Sequence, residues 1–227
     1  MKKILLSSWL FLSCIVAAHA QDGNSFHRNT YIKVNPTTLI NELDVYLEQE
    51  LSPKVSLELG ISGIYTDYPD YVLTKKIDFG QKKPDISTEQ FVDGRGLGFR
   101  AGVRLYLFPS GISQSRAAGT YFEPMLLFKK VFYPNEDVTI NNASYTNTGT
   151  KDVYGIQLLL GRQFNKDKVI LDPFVGVGLR GKVYQYVTYH AGDNNSIVIN
   201  DGRMVSVLPS IQLGIKIGLN LAPKKEQ

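Results

Sequence analysis

The chain has 227 residues, 43% of them hydrophobic, with 25 Lys and Arg against 21 Asp and Glu and a single cysteine. That length suits one domain, and a charge so nearly balanced carries no chain-wide footprint for nucleic acid. One cysteine excludes a disulfide framework and a multi-thiolate metal site.

The N-terminus, MKKILLSSWLFLSCIVAAHAQD, sets Lys2 and Lys3 before an apolar run from Ile4 to Ala18 and ends it in Ala18-His19-Ala20. This pattern predicts a signal peptide over 1–20, cut after Ala20. Lipid attachment at Cys14 is the rival reading: Ser13 suits the preceding position, whereas Phe11 and Leu12 do not. Cleavage after Ala20 removes Lys2, Lys3 and Cys14, leaving 23 Lys and Arg against 21 Asp and Glu, a net charge of +2. Residues 21–28 then form an N-terminal segment, 29–222 the folded domain and 223–227 a tail. No later run approaches the roughly 18 apolar residues that a membrane helix needs.

The stretch LINELDVYLEQEL (39–51) is ambiguous by itself. Leu39, Leu43, Leu47 and Leu51 recur at helical spacing, yet Glu42, Asp44, Glu48 and Glu50 also alternate with Leu43, Val45 and Leu47. Its neighbours favour a strand, because Ser52-Pro53-Lys54 joins the stretch to VSLELGISG (55–63), where alternation is strict. The same period of two returns in GLGFRAGVRLYLF (96–108), in VILDPFVGVGLRGKVYQY (169–186) and in VSVLPSIQLGIKIGLNL (205–221). It is looser in TYFEPMLLFKK (120–130) and VYGIQLLLGRQF (153–164). Each of these reads as a β-strand with one face in an apolar medium. NTYIKVN (29–35) supplies an eighth strand, and the one candidate for a further pair is YVLTKKIDF (71–79).

Short turns at 52–54 and 165–168 and a somewhat longer link over 109–119 alternate with long polar segments at 66–95, 133–151 and 190–203. Such asymmetry is the habit of an outer-membrane barrel. The expected fold is therefore all-β: a single antiparallel, up-and-down transmembrane β-barrel of eight strands.

The polar rows of these strands would then face inward. Their acids are Glu42, Asp44, Glu48, Glu50, Glu58, Glu123 and Asp172; their bases are Lys33, Arg100, Arg104, Lys129, Arg180, Lys182 and Lys216. Acids cluster on the early strands and bases on the later ones, so closure would bring them face to face. A barrel of eight strands is just wide enough inside for side chains to fill. Unpaired ions there are costly, which predicts an ion-pair network plugging the lumen. Sharper readings of the same carboxylates fit less well. Glycoside hydrolysis needs a cleft open to a sugar. A Ca²⁺ cage needs a ligand-bearing loop that alternate residues of one strand do not make, and Ala191–Ser196 lacks a bidentate pattern. Acyl transfer or deacylation of lipid would need a histidine at the outer rim. His190 falls there, with Ser206, Ser210 or Asp193 as possible partners. No catalysis, cofactor or metal is expected.

Tyr65, Tyr68, Phe108, Phe132, Tyr133, Phe164, Tyr184, Tyr186 and Tyr189 lie near predicted strand ends, where interfacial aromatic girdles belong. Arg162 and Lys130 fall on apolar rows near strand ends, from which long side chains can reach an interface. Pro124, Pro173 and Pro209 fall inside predicted strands and lead us to expect bulges or strand entries there. The chain ends LNLAPKKEQ, without a terminal aromatic residue.

KVNPTTL (33–39), followed by LEQELSPKVSLELGISGIY (47–65), resembles the start of small, largely uncharacterised outer-membrane barrels of Bacteroidota. YFEPMLLFKK (121–130) and DPFVGVGLRGK (172–182) are similar to later strands of that family. The resemblance implies an eight-stranded barrel like the transmembrane fold of OmpA and OmpX, and no defined catalytic residues. The expectation is thus an exported outer-membrane protein with a structural or surface-interaction role. Its partners would be outer-membrane lipid and, during insertion, the barrel-assembly machinery; no nucleic acid is expected, the barrel would be a monomer, and the loops name no ligand. A secreted, lipocalin-like binding barrel is the soluble alternative, and it would need polar residues on the outward rows.

Overall fold

A computed structural model describes residues 29–67, 76–78, 84–109, 118–166, 168–193 and 196–221. The predicted leader and tail, and Tyr68, lie outside the described residues. The described residues form nine strands: β1 (Thr30–Val34), β2 (Glu42–Ser52), β3 (Val55–Ile64), β4 (Lys76–Asp78), β5 (Arg95–Pro109), β6 (Gly119–Ile140), β7 (Ala143–Lys166), β8 (Val169–Ala191) and β9 (Ile197–Asn220). One short helix, α1 (Thr88–Val92), and a 3-10 turn, Pro36–Thr38, complete the described elements. No described helix is long and apolar enough to cross a membrane.

Eight strands pair antiparallel with their neighbours in chain order, and β1 returns to β9 to close the ring. The up-and-down order follows from the turns. Pro53-Lys54 reverses β2 into β3, and Asn141-Asn142 reverses β6 into β7 with φ of 53° and 64°. Two consecutive residues at positive φ make a turn whose twist matches that of the flanking strands, and asparagine tolerates that conformation well. Register sets the ring's geometry. Pairs lead from Phe128 through Phe99, Ile61, Val45, Val34, Ile217, Leu171 and Phe164. Phe164 stands one residue past the Gly119–Gln163 pair, so the circuit returns to β6 at 118, ten residues below its start. A stagger of roughly 33 Å against a summed strand spacing of roughly 38 Å, taken perpendicular to the strands, tilts them by about 40° to the ring axis.

The ladder corrects several expectations. LDVYLEQEL is strand, but Leu39, Ile40 and Asn41 belong to the turn that precedes it. The polar segments 133–151 and 190–203 are mostly strand as well. β6, β7, β8 and β9 run for 22 to 24 residues, twice the length of β2 and β3, and pair almost to their tips. A four-stranded sheet therefore rises beyond the rim marked by Glu42, Ile64 and Gly96. No pair of extra ring strands exists among the described residues of 66–95; β4 is a three-residue strand laid antiparallel on β9 at Ser210–Gln212.

The in-strand prolines cause no register shift. Beside Pro124, β5 and β6 keep their offset while the pairs at Val103 and Arg104 lapse. Beside Pro173, β7 and β8 do the same at Arg162 and Gln163. Pro209 pairs with Leu179 on β8, so its missing N–H faces the other edge of β9. The bulges fall elsewhere, at Glu50/Ser52, Tyr106/Phe108 and Tyr133/Glu136, the last around Pro134.

Candidate functional site: a charged interior within an apolar outer face

Alternation along each strand sends one row into the ring and the other outward. The inward row carries the charges. Glu42, Asp44, Glu48, Glu50, Glu58, Arg100, Arg104, Glu123, Lys129, Asp172, Arg180, Lys182 and Lys216 are all buried, as is Lys33. The outward row is apolar and open: Ile61, Leu97, Ile156 and Val207 are each more than 60% exposed, and Leu43 and Leu47 on β2 nearly half. A water-soluble domain has the reverse polarity, with its charges outside.

The interior is organised in levels. At the lowest, Glu50 accepts from Tyr31 Oη and, at 2.9 Å, from Asn29 Nδ2. Above it Arg104 reaches four carboxylates. Its Nη1 lies 2.7 Å from Asp172 Oδ2 and 3.4 Å from Glu48 Oε2, its Nε lies 2.9 Å from Glu123 Oε2, and Nη2 contacts Glu58. Lys33 joins from β1, contacting Glu48 and standing 3.1 Å from Asp172 Oδ2. Lys216 joins from β9, bound to Glu58 with its Nζ 4.3 Å from the centre of the Tyr46 ring. Neutral donors take remaining lone pairs: Tyr121 Oη donates to Asp172 at 2.7 Å and Tyr106 Oη to Glu48 at 2.8 Å. Gly102 leaves room for this cluster, since a Cβ there would come within 2.4 Å of Glu123 Oε1.

The next level joins Arg100 to Asp44 and, at 3.0 Å, to Glu42, which Lys129 also contacts. Ser62 Oγ and Thr38 Oγ1 donate to Asp44, the latter from the 3-10 turn inside the β1–β2 link. Arg180 and Lys182 stand higher. With Lys129, Lys151, Glu42 and Asp67 they line a cavity of about 30 Å³, room for one or two waters. The acids of β2 and β3 thus meet Arg100 and Arg104 on the adjacent β5, along with Lys33 and Lys216, while the bases of β8 line the upper cavity together with Glu42.

A cap packs over the rim. Ser87 caps α1, accepting from Gln90 N–H at 3.1 Å, and α1 presents Phe91 to a cluster of Ile64, Ile86, Val131, Tyr133 and Tyr184. Gln90 Nε2 donates to Pro134 O at 2.9 Å. Asp67 holds Lys151 and accepts from Tyr133 Oη at 2.6 Å. Asp85 accepts from Asn200 Nδ2 at 2.9 Å and Thr188 Oγ1 at 3.2 Å, and lies 2.8 Å from His190 Nε2. The hydrogen bonds from Asn200 and then His190 hold the Asp85 carboxyl below its ordinary range.

Sequence reasoning missed Asp67, Asp85 and Lys151. It also placed Tyr133 and Tyr184 in an interfacial girdle, whereas both are buried under the cap; Tyr186 packs against the same cluster. Tyr65, Phe132 and Phe164 are exposed. Tyr189 stacks on Tyr145 with ring centres 5.0 Å apart. The side chain of Phe108 lies outside the described residues. Of the outward cations, Lys130 pairs with Asp152 at 3.6 Å, and Arg162 lies 5.2 Å from the Phe164 ring.

His190 pairs across the sheet with Val198, whereas Ser206 and Ser210 stand opposite Lys182 and Gly178, well down the same strand. Its nearest acid is Asp85, not Asp193. Neither a protein-family model nor a curated protein matches the chain.

Proposed function

We propose that this chain is an outer-membrane β-barrel that spans the bilayer and presents the β6–β9 sheet outside it, in a structural or surface-interaction role. The observation that carries this reading is the inverted polarity of the ring: buried ion pairs within and a largely apolar face without, its outward charges Lys130, Asp152 and Arg162 near the rims of the ring. In a bilayer the outward residues meet acyl chains, and the closed ladder leaves few backbone groups unpaired there. The nine or so residues of outward alternation on β2 and β3 fit the 9–11 that a tilted strand needs to cross. Export by the predicted leader is consistent with this location. So is the division between tight turns at one end and the capped, extended sheet at the other.

The filled lumen gives the reading its functional content. Arg104 and its four carboxylates fill the middle of the ring and α1 packs over its rim, so in this reading the barrel serves as an anchor for the projecting sheet rather than as a conduit. Cell fractionation and gel mobility test this proposal. The protein should travel with outer membranes, and the unboiled folded form should migrate differently from the boiled form. A chain found in the soluble fraction, with identical mobility before and after boiling, would end it.

A further inference from the structure

The strand β9 has one edge left over. Its β8 side is paired throughout, while the opposite edge meets β1 only at Ile217–Asn220 and β4 only at Ser210–Gln212. Among the described residues, Ile197–Pro209 takes no second strand. The same edge already accepts β4 in antiparallel fashion just below. Hydrogen bonds fix the direction of its backbone groups: Asn220 N–H donates to Lys168 O beside β8, and Leu221 N–H to Thr30 O beside β1. The odd-numbered residues therefore aim N–H and C=O at the open edge. Their side chains, Ile197, Ile199, Asp201, Arg203, Val205 and Val207, are exposed on the outward face.

This segment, IVINDGRMVSV, is complementary to itself about Gly202. Against a second, antiparallel copy with Gly202 facing Gly202, Asp201 stands opposite Arg203, Ile199 opposite Val205 and Ile197 opposite Val207. Odd residues then meet odd residues as hydrogen-bonded pairs, so the open backbone groups satisfy one another. A two-fold axis makes each pairing twice. The nearest registers of the same parity, two residues away, set Asp201 against Asp201 or Arg203 against Arg203, and like charges directly opposite are unfavourable. The charges thus select one register of the possible set.

We propose that the upper edge of β9 is a homotypic docking surface whose occupant is a second copy of this chain. The proposal departs from the monomer expected from the sequence. Antiparallel pairing turns the second copy end over end, so two copies would meet head to head from facing surfaces and not side by side in one membrane. The pairing itself does not depend on the membrane reading.

Analytical ultracentrifugation of the folded, full-length mature protein in detergent micelles tests it. Wild type should show a concentration-dependent dimer. Arg203→Asp and Asp201→Arg should each weaken self-association by about tenfold or more, because each creates two like-charge pairs. An equimolar mixture of the two variants should restore dimerisation, since one copy then brings two arginines to the centre of the pairing and the other two aspartates. Both variants should keep the gel mobility of the folded wild type. A wild type that stays monomeric at every concentration would overturn the proposal. So would reversals that dimerise like wild type, or a mixture that fails to rescue; in each case the membrane reading would stand.

Discussion

Arg104 Nη1 and Asp172 Oδ2 meet at 2.7 Å across the ring, joining β5 to β8 with two strands of wall between them. The guanidinium also serves Glu48, Glu58 and Glu123, all buried. Replacing it with methionine would leave several carboxylates without their shared cation. Removing one partner from a buried ion pair costs about 3–5 kcal/mol. We expect Arg104→Met to lower the urea midpoint of refolded protein accordingly. Adding Glu58→Gln should return part of that loss, so the double variant is less destabilised than the sum of the single ones.

Ile215 lies on the outward row of β9, which faces acyl chains in the proposed membrane orientation. In bilayers Ile215→Arg should destabilise the fold by about 2–4 kcal/mol, the cost of an arginine near the midplane. Thr139→Arg, on the projecting hairpin, should change stability little. Equilibrium unfolding in lipid vesicles measures both. Near-equal values would place Ile215 in water.

The Asp85 carboxyl is held below its ordinary range by Asn200 and His190, which fixes the sign of its pH dependence. A carboxyl depressed in the folded state stabilises it above the unfolded value of about 3.9 and loses that contribution as pH falls through the folded value. Hydrogen exchange at the α1 amides should therefore quicken only below the usual aspartate range. In Asp85→Asn this acid-dependent step should vanish. The group is half exposed, so global stability should hardly move.

Asn141 and Asn142 both adopt positive φ at the β6–β7 turn. Asn142→Val should destabilise the hairpin by about 1–2 kcal/mol, since a β-branched residue is poorly tolerated there. Asn142→Gly should be neutral or slightly stabilising. Protection of the flanking amides of Ile140 and Ala143 reports the difference.

The wall of the ring was legible because one face of each strand is apolar. Leu43, Val45 and Leu47 alternate with Asp44, Tyr46 and Glu48, and that period survives the competing helical spacing of the leucines. The upper halves of β6–β9 were not legible. Asn135, Glu136 and Asp137 stand on both faces of a sheet without a core, so no apolar period marks them as strand. Their order comes from the ladder with the neighbouring strand, and the Asn-Asn turn was the one local sign. Charged positions such as Glu48 and Arg104 could be read from strand parity, but which partner each meets depends on register, tilt and side-chain reach. The cap was beyond sequence reading because Asp85 and His190 are 105 residues apart and belong to no repeating pattern. Tyr133 and Tyr184 show the limit of placing aromatics by their distance from a strand end, since parity turns them inward beneath Phe91.

Depth-dependent quenching tests the membrane assignment most directly. The one tryptophan of the chain, Trp9, lies in the predicted leader, so a single tryptophan can be introduced into the mature protein without background. In vesicles made with lipids brominated near the bilayer centre, Leu160→Trp should be strongly quenched and Thr139→Trp unaffected. Equal fluorescence from the two positions, with no quenching of Leu160→Trp in correctly folded protein, would contradict the account.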